Sequence, residues 1–530
     1  MNIKKYLMLG GVALSLGLST ASCIGDLDLE PNDPSQTSAD TSSMEFIQNS
    51  FAQCYANLGF CSTTGPGESN LSVPDAGASV YVRLLFALNE MTTDEAFWIW
   101  KDNGLDDLVC TSYGSANLQV LTAYQRFYQH VATCNTFLEV TEGMADPEVL
   151  AMRTEVRALR AFTYYWLCDM FGNVTLAISK PDGEGSPQVS RAELYNWLEA
   201  ELTDIVDNGN MPQVPVYGRV GIDGVEALLA RLYLNAPVYA GVEAWDKCLT
   251  RCNNIINRHK GGGYQGSGLA QHYSYLFCGN NEEYMPGGGN VAENEILWGV
   301  PFDAIKAQSY GGSSFMLLAS LSEGMYGSLE SWSCLTAGKL LSERFESNPE
   351  DKRWQFWIRD GKETDNVAFG TFSTAGYQAI KWTNLVKEDN SGNLVLRDSY
   401  SFCNSDLALI RLADVYLMRT ECFMHGVGDQ TEALAGINYV RNRAGLGSWG
   451  LADLTFDNLL DERSRELYYE CTRRSDLIRN DRFTGPNQMV WPWKGYTAEG
   501  VAIGSQYNLL PIPANIIAAQ PDLKQNPGFN

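Results

Sequence analysis

The sequence predicts a mainly α-helical protein, a scaffold of tetratricopeptide-like helical hairpins that carries long irregular loops. Three observations predict it. Apolar residues recur at spacings of three and four in one segment after another, which is the helical period. These segments come in pairs with short connections. Between two blocks of them the composition shifts toward Gly, Tyr, Ser and Asn.

The clearest helix begins at Asp146-Pro147. An Asp cap takes up orphan N–H groups, Pro fits the first helical position, and Glu148 complements the helix dipole. Met152, Val156, Leu159, Phe162, Trp166 and Met170 form its apolar stripe, and Gly172 supplies the stop. A helix over about 118–140 precedes it and makes an antiparallel hairpin with it. Ser190 opens the next, whose stripe is Leu194, Trp197, Leu198, Leu202 and Ile205. Further helices are expected over about 224–235, stopped by Pro237, and over about 245–258. Toward the C-terminus the pattern predicts helices over about 405–425, 431–444 and 456–480. Stacked hairpins of this kind resemble tetratricopeptide repeats, without a strict 34-residue consensus, and bury their stripes only against neighbours.

Residues 261–290 and 308–334 break the pattern with Gly, Tyr, Ser and Asn. Loops of that length are uncommon in a compact domain unless they bind something. Regular scaffolds with large aromatic loops are how binding proteins are laid out.

The chain opens with an address. Lys4 and Lys5 precede an apolar run from Tyr6 to Leu18, which ends in Thr20-Ala21-Ser22-Cys23. That is the layout of a signal peptide, and its apolar core is too short for a membrane span. A Cys directly after small residues at that point is where a bacterial lipoprotein signal peptidase cuts, so Cys23 is predicted to be lipidated. Burying acyl chains contributes ~0.8 kcal/mol per CH₂, and two or more chains anchor stably. Residues 24–43, rich in Asp, Pro and Ser, read as a tether. No later segment is long and apolar enough to cross a bilayer.

Composition excludes several classes. Losing Lys4 and Lys5 with the signal peptide leaves 36 of the 38 basic residues against 63 acidic ones, a formal charge of −27. That argues against nucleic acid and against anionic membrane surfaces as direct ligands. Apart from Cys23 there are twelve cysteines, without repeated CxxC spacing, and Cys248 and Cys252 are spaced for packing. His130, His259, His272 and His425 show no paired-ligand spacing, so no metal site is expected. The segment Asp102-Asn103-x-x-Asp106-Asp107 is oxygen-rich enough for calcium but lacks EF-hand spacing. Gly261-x-Gly263-x-x-Gly266 matches a dinucleotide fingerprint only literally, because a helix and not a strand precedes it. The run from Asp461 to Glu466 is read as ordinary ion pairing along one helix, and not as a catalytic carboxylate pair.

Several segments together resemble the SusD/RagB family. RTEVRALRAFTYYWLCDMFGNVTL (153–176), SRAELYNWLEAELTDI (190–205) and VEALLARLYLNAPVYAG (225–241) carry the resemblance in the first half. LALIRLADVYLMRTECF (407–423), INYVRNRAGL (437–446), LLDERSRELYYECTRRSDLIR (459–479) and LLPIPANIIAAQPDLKQNPGF (509–529) carry it in the second. Pro237 and the Gly-rich stretch 261–289 depart from the family pattern.

The resemblance implies a lipoprotein on the outer membrane that captures a glycan and does no chemistry on it. It would need no cofactor, and it would serve as a hinged lid over a TonB-dependent transporter of the SusC type. The divisions would be a signal peptide (1–22), an anchored tether (23–43), an N-terminal SusD-like helical region (44–260), a loop-rich ligand-facing region (261–400) and a C-terminal helical region (401–530). The alternative is a surface lipoprotein whose repeats bind a peptide or protein cargo. In this family the ligand surface follows a Ser/Thr-Asp-Glu-Ala motif, here Thr93-Asp94-Glu95-Ala96. Sugar C–H faces pack on aromatic rings while flanking polar groups take the hydroxyls. Trp98 or Trp100 is therefore the expected platform, with Lys101, Asp102 and Asn103 as polar partners. Alternate residues of an extended segment point to opposite sides, so one Trp is expected to face the ligand while Phe97 and Ile99 pack inward. Among Tyr310, Phe315, Tyr326 and Trp332, the flanking Gly324 and Gly327 favour Tyr326 and Trp332. Arg83 is a candidate bidentate donor.

Overall fold

In the computed structural model, which describes residues 41–178, 186–283, 295–365, 367–370 and 376–529, the helices of the first block form with ends set by their capping residues. Cys23 and residues 1–40 lie outside the described residues. Met1–Gln48 and Asn49–Asn530 are two separate units, and the architecture below is that of the second.

The elements that position the site begin with Tyr81–Asn89 (α1) and the short strand Ala96–Trp98 (β1). The hairpin follows as Leu118–Val140 (α2) and Pro147–Met170 (α3). The Asp146 carboxylate accepts from the Glu148 N–H at 2.8 Å, a cap that typically contributes about 1 kcal/mol. All six stripe residues of α3 are buried. Gly172 ends the helix at φ +71°, the left-handed region that favours glycine. Arg191–Asn208 (α4) starts in a capping box in which Ser190 and Glu193 satisfy each other's backbone N–H.

Ile222–Leu234 (α5) follows, and Pro237 does more than stop it. The chain leaves the helix at Asn235, and Pro237 sits in the first turn of a new short helix, Ala236–Ala240 (α6). Trp245–His259 (α7) completes the block. Each hairpin helix packs on its neighbour in the stack, with α4 lying between α3 and α5 and α7 on α5.

The stretch 261–400, expected as loops, also holds regular elements. These are Ile296–Val300 (β2), Gly312–Ser320 (α8), Leu335–Ala337 (β3) and Lys339–Glu346 (α9). The helix expected over 405–425 begins instead as a fully buried strand, Leu407–Arg411 (β4), and turns into Leu412–Met424 (α10). A short apolar run such as Leu-Ala-Leu-Ile suits either state, and antiparallel pairing with β2 across a bulge decides for the strand. Just before it, Asp406 accepts from the Phe302 N–H at 2.7 Å and the Tyr217 hydroxyl at 2.6 Å. Burial pushes its carboxyl up to about 7, against the pull of those two bonds. Helix α10 packs on α7, so the helical stack continues across the inserted loops, and Gln430–Arg443 (α11) extends it.

The single helix expected over 456–480 is two, Phe456–Leu467 (α12) and Arg473–Arg479 (α13). Tyr469 (φ +66°) and Cys471 (φ +63°) break it. The break turns the Tyr468 carbonyl and the Glu470 carboxylate onto the Lys381 ammonium, at 2.6 Å each. The charged run of α12 is likewise more than local pairing. Glu462 does meet Arg465 within the helix at 2.6 Å, but it also meets Arg353 at 2.8 Å and Arg441 at 2.7 Å. Arg463 bridges Asp414 and Asp476, and Glu466 takes Arg353, Arg411 and Arg443. These groups are buried, and a buried charge without partners costs several kcal/mol. Multiple arginines outweigh burial at Glu466 and hold it below the usual carboxylate range.

Candidate functional site

The Thr93-Asp94-Glu95-Ala96 motif anchors the candidate site. Thr93 folds back to donate to the Glu90 carbonyl at 2.7 Å. Asp94 accepts from two guanidinium nitrogens of Arg473, Nε and Nη2, at 2.8 and 2.9 Å, and meets Arg344 at 2.7 Å. Burial works against its charge, but the two arginines win and hold the carboxyl well below its usual range. Glu95 accepts from the Ser464 hydroxyl at 2.6 Å. Burial raises Glu95, and it raises Glu90 beside it further. Gly338 is needed opposite, because a Cβ there would sit 2.1 Å from the Asp94 carbonyl oxygen. From this anchor the chain enters β1, paired antiparallel with β3 through Phe97↔Thr336 and Trp98↔Leu335.

Both faces of the strand are covered, so alternation does not separate its aromatics into inward and outward sets. Phe97, Trp98 and Ile99 are all buried, and Trp100 is half-buried. The Trp98 ring stacks on Phe315 at 5.9 Å and 23°, and meets Trp100 edge-on at 5.7 Å. With 1% of its surface exposed, Trp98 is a floor and cannot offer a face to a ligand. Trp100 is the member of the pair that reaches the surface.

The floor continues into a second set of rings. Phe315 lies 6.3 Å from Trp332, which lies 5.8 Å from Tyr310, which lies 5.0 Å from Phe402. Arg83 sits among them, its guanidinium 4.6 Å over Phe315 and 5.7 Å over Trp332. It donates to the Tyr310 carbonyl at 3.3 Å and is 3.9 Å from the exposed Asp75 carboxylate. Burial pulls its pKa down, partly offset by Asp75. Cation–π contact with desolvated rings is worth ~2 kcal/mol, so Arg83 fixes the two rings relative to each other. The result is an arc of half-buried Trp100, Trp332 and Tyr310 around Arg83, over a buried floor of Trp98 and Phe315.

Polar groups border the arc. Asp102 is half-buried and accepts from the Trp98 indole at 2.8 Å; burial raises its carboxyl. Asn103 turns the chain at φ +51°, with its carbonyl taken by Gln119 at 3.2 Å. Asn117 ties the next residue, donating to the Gly104 carbonyl at 2.9 Å. Arg83, Trp98, Trp100, Asp102, Asn103 and Trp332 thus come together from three distant stretches.

Two of the expected residues lie elsewhere. Lys101 leaves the arc and places its ammonium 4.9 Å over Phe369 and 5.8 Å over Tyr496. Tyr326 meets Phe356 at 5.6 Å and is held by its own backbone, whose carbonyl accepts from the Asn384 N–H at 3.0 Å. Flanking glycines are poor guides: Gly324 is exposed, but Gly327 is buried. Tyr310 occupies the place expected for Tyr326, and Asp75 was not singled out. The acidic segment is engaged, since Asp102 takes Trp98, Asp106 takes Tyr496 and Asp107 takes Asn117. Among the described residues no group of three or more His, Cys, Asp or Glu is placed to hold a metal ion. Apart from Cys23, the cysteines are free thiols, and Cys248 and Cys252 are buried within α7.

Comparison with known proteins gives three findings. The SusD family model matches residues 248–529. Over an alignment of 575 positions, covering 99% of each chain, the sequence is 31% identical to the starch-binding protein SusD of Bacteroides thetaiotaomicron. In fold, it is similar to a SusD superfamily protein from Parabacteroides distasonis, with a TM-score of 0.68, 21% identity and coverage of 92% of this chain and 98% of that one. It is also similar to surface glycan-binding protein A from Bacteroides thetaiotaomicron in complex with laminarihexaose, with a TM-score of 0.64, 18% identity and coverage of 91% and 99%.

Proposed function

Because the chain belongs to the SusD family, by its match to the family model and its full-length identity to a member, we propose that it captures a glycan at the cell surface. The family is one of non-catalytic binding proteins, and the chain is not an enzyme. The observation that carries the ligand reading is the arc of Trp100, Trp332 and Tyr310 around Arg83. Its half-exposed rings suit the C–H faces of sugars. Asp75, Arg83, Asp102 and Asn103 suit the hydroxyls, accepting or donating as each requires. A relative at 31% identity is named for starch, so an α-glucan is the first ligand to try.

The finer reading concerns place and partner. Lipidation at Cys23 anchors the protein to the outer membrane, and it hands its glycan to a TonB-dependent transporter of the SusC type. The lipoprotein layout around Cys23 and the family membership support this reading.

Affinity electrophoresis tests the ligand class. The protein lacking residues 1–23 should be retarded in gels cast with amylopectin, without shortening the polysaccharide. Trp332→Ala should run as in an empty gel. Unretarded migration in amylopectin, laminarin and xyloglucan gels alike overturns the glycan reading, and release of free oligosaccharide overturns the non-catalytic one.

A further inference from the structure

A second group of aromatic side chains is tied to the arc through Lys101, the residue after Trp100. Phe369 and Trp493 meet at 5.1 Å and 71°, both half-buried, over the buried ring of Phe97. Tyr496 stands next to them with 44% of its surface exposed. The Lys101 ammonium lies over Phe369 and Tyr496, and the Tyr496 hydroxyl donates to Asp106 at 3.3 Å. This patch has the ingredients of the arc: ring faces, a donor and an acceptor.

The backbone that presents these rings is unusual. Trp493 (φ +72°), Gly495 (φ +68°) and Tyr496 (φ +64°) lie in the left-handed region, which bulky side chains avoid and which concentrates at functional sites. The turn is fastened from several sides. Gly495 donates to the Cys110 carbonyl at 2.7 Å, and the Trp493 indole donates to the Val367 carbonyl at 2.8 Å. The buried Lys494 ammonium donates to the Phe483 and Met489 carbonyls at 2.7 and 2.6 Å. The fastening holds Tyr496 in this conformation with its ring exposed.

One stretch of chain, from Trp100 to Asp106, touches both groups. Lys101 follows Trp100 directly, and Asp106 lies on the short helix Leu105–Val109, just after Asp102 and Asn103. We infer that the glycan groove continues past Trp100 across Lys101 onto a second subsite built by Tyr496, Trp493 and Phe369, so that the protein holds a longer chain than the arc alone accommodates. This inference rests on the glycan-binding reading of the arc.

The test compares maltotriose with maltoheptaose by isothermal titration calorimetry. Tyr496→Asn removes the ring with a residue that tolerates positive φ, and Tyr496→Phe keeps the ring. Tyr496→Asn should bind maltotriose as the wild type does and lose about tenfold for maltoheptaose, or 1.4 kcal/mol. Tyr496→Phe should stay within about threefold of the wild type for both. Equal maltoheptaose affinity in Tyr496→Asn and wild type overturns the second subsite while leaving the arc intact. Equal loss for both sugars overturns it too, because it places Tyr496 in the arc or in stability. A wild type that binds neither sugar removes the α-glucan reading and the inference with it.

Discussion

The indole N–H of Trp98 donates to the carboxylate of Asp102 at 2.8 Å, four residues along the same chain. This bond locks a buried ring to the loop that carries Trp100, so the two tryptophans have different work. Trp98→Ala should cost ~3–5 kcal/mol of stability, as for other buried aromatics. Trp100→Ala should keep its thermal midpoint nearly unchanged and lose at least ~2 kcal/mol of glycan binding, roughly thirtyfold. Thermal denaturation and gel retardation of both variants check this. Normal binding by Trp100→Ala would move the platform to Trp332 and Tyr310 alone.

Arg83 acts through its planar shape as well as its charge. Arg83→Lys keeps a cation but loses the flat group that lies over Phe315 and Trp332. It should weaken glycan binding about tenfold. A variant with wild-type affinity would show that charge alone suffices there.

Asp406 makes stability depend on pH in a stated direction. Its folded carboxyl titrates at about 7, against roughly 3.9 unfolded. The folded state therefore binds more protons between those values. Its contribution is full below pH ~3.9 and is lost as pH rises through 7, on the order of 2–4 kcal/mol. Asp406→Asn should flatten this component. Urea unfolding of both proteins from pH 4 to 8 measures it, and parallel curves would mean an ordinary carboxylate.

Replacing Cys23 by Ser should leave the protein unlipidated, either released or with its signal peptide uncut. Mass spectrometry of the wild-type membrane fraction should find acyl chains on Cys23. A mature N-terminus without them would refute the anchor.

The helical stack was legible because its signals are local. The cap at Asp146, the stripe from Met152 to Met170 and the stop at Gly172 lie within one segment, and the helix Pro147–Met170 falls between them. Leu407–Arg411 was misread because its state depends on β2, over a hundred residues earlier. The break at Tyr469 and Cys471 was hidden for a similar reason, since it serves Lys381. At the site, alternation puts Trp98 and Trp100 on one face of the strand, and only burial in the folded chain separates them. Tyr310 was passed over because glycine spacing reports turns and not exposure. Asp75 was invisible because only the folded chain brings it near Arg83.

The paired hydrogen bonds from Arg473 to Asp94 join the start of the site to a helix near the other end of the chain. A fragment that stops before Arg473 would carry every residue of the arc but not the clamp on Asp94. The clamp is buried and none of the residues from Trp100 to Asn103 takes part in it, so those residues can be exchanged without loosening it. Natural selection can thus retune what is gripped while inheriting the grip, and one chassis can be fitted to many diets.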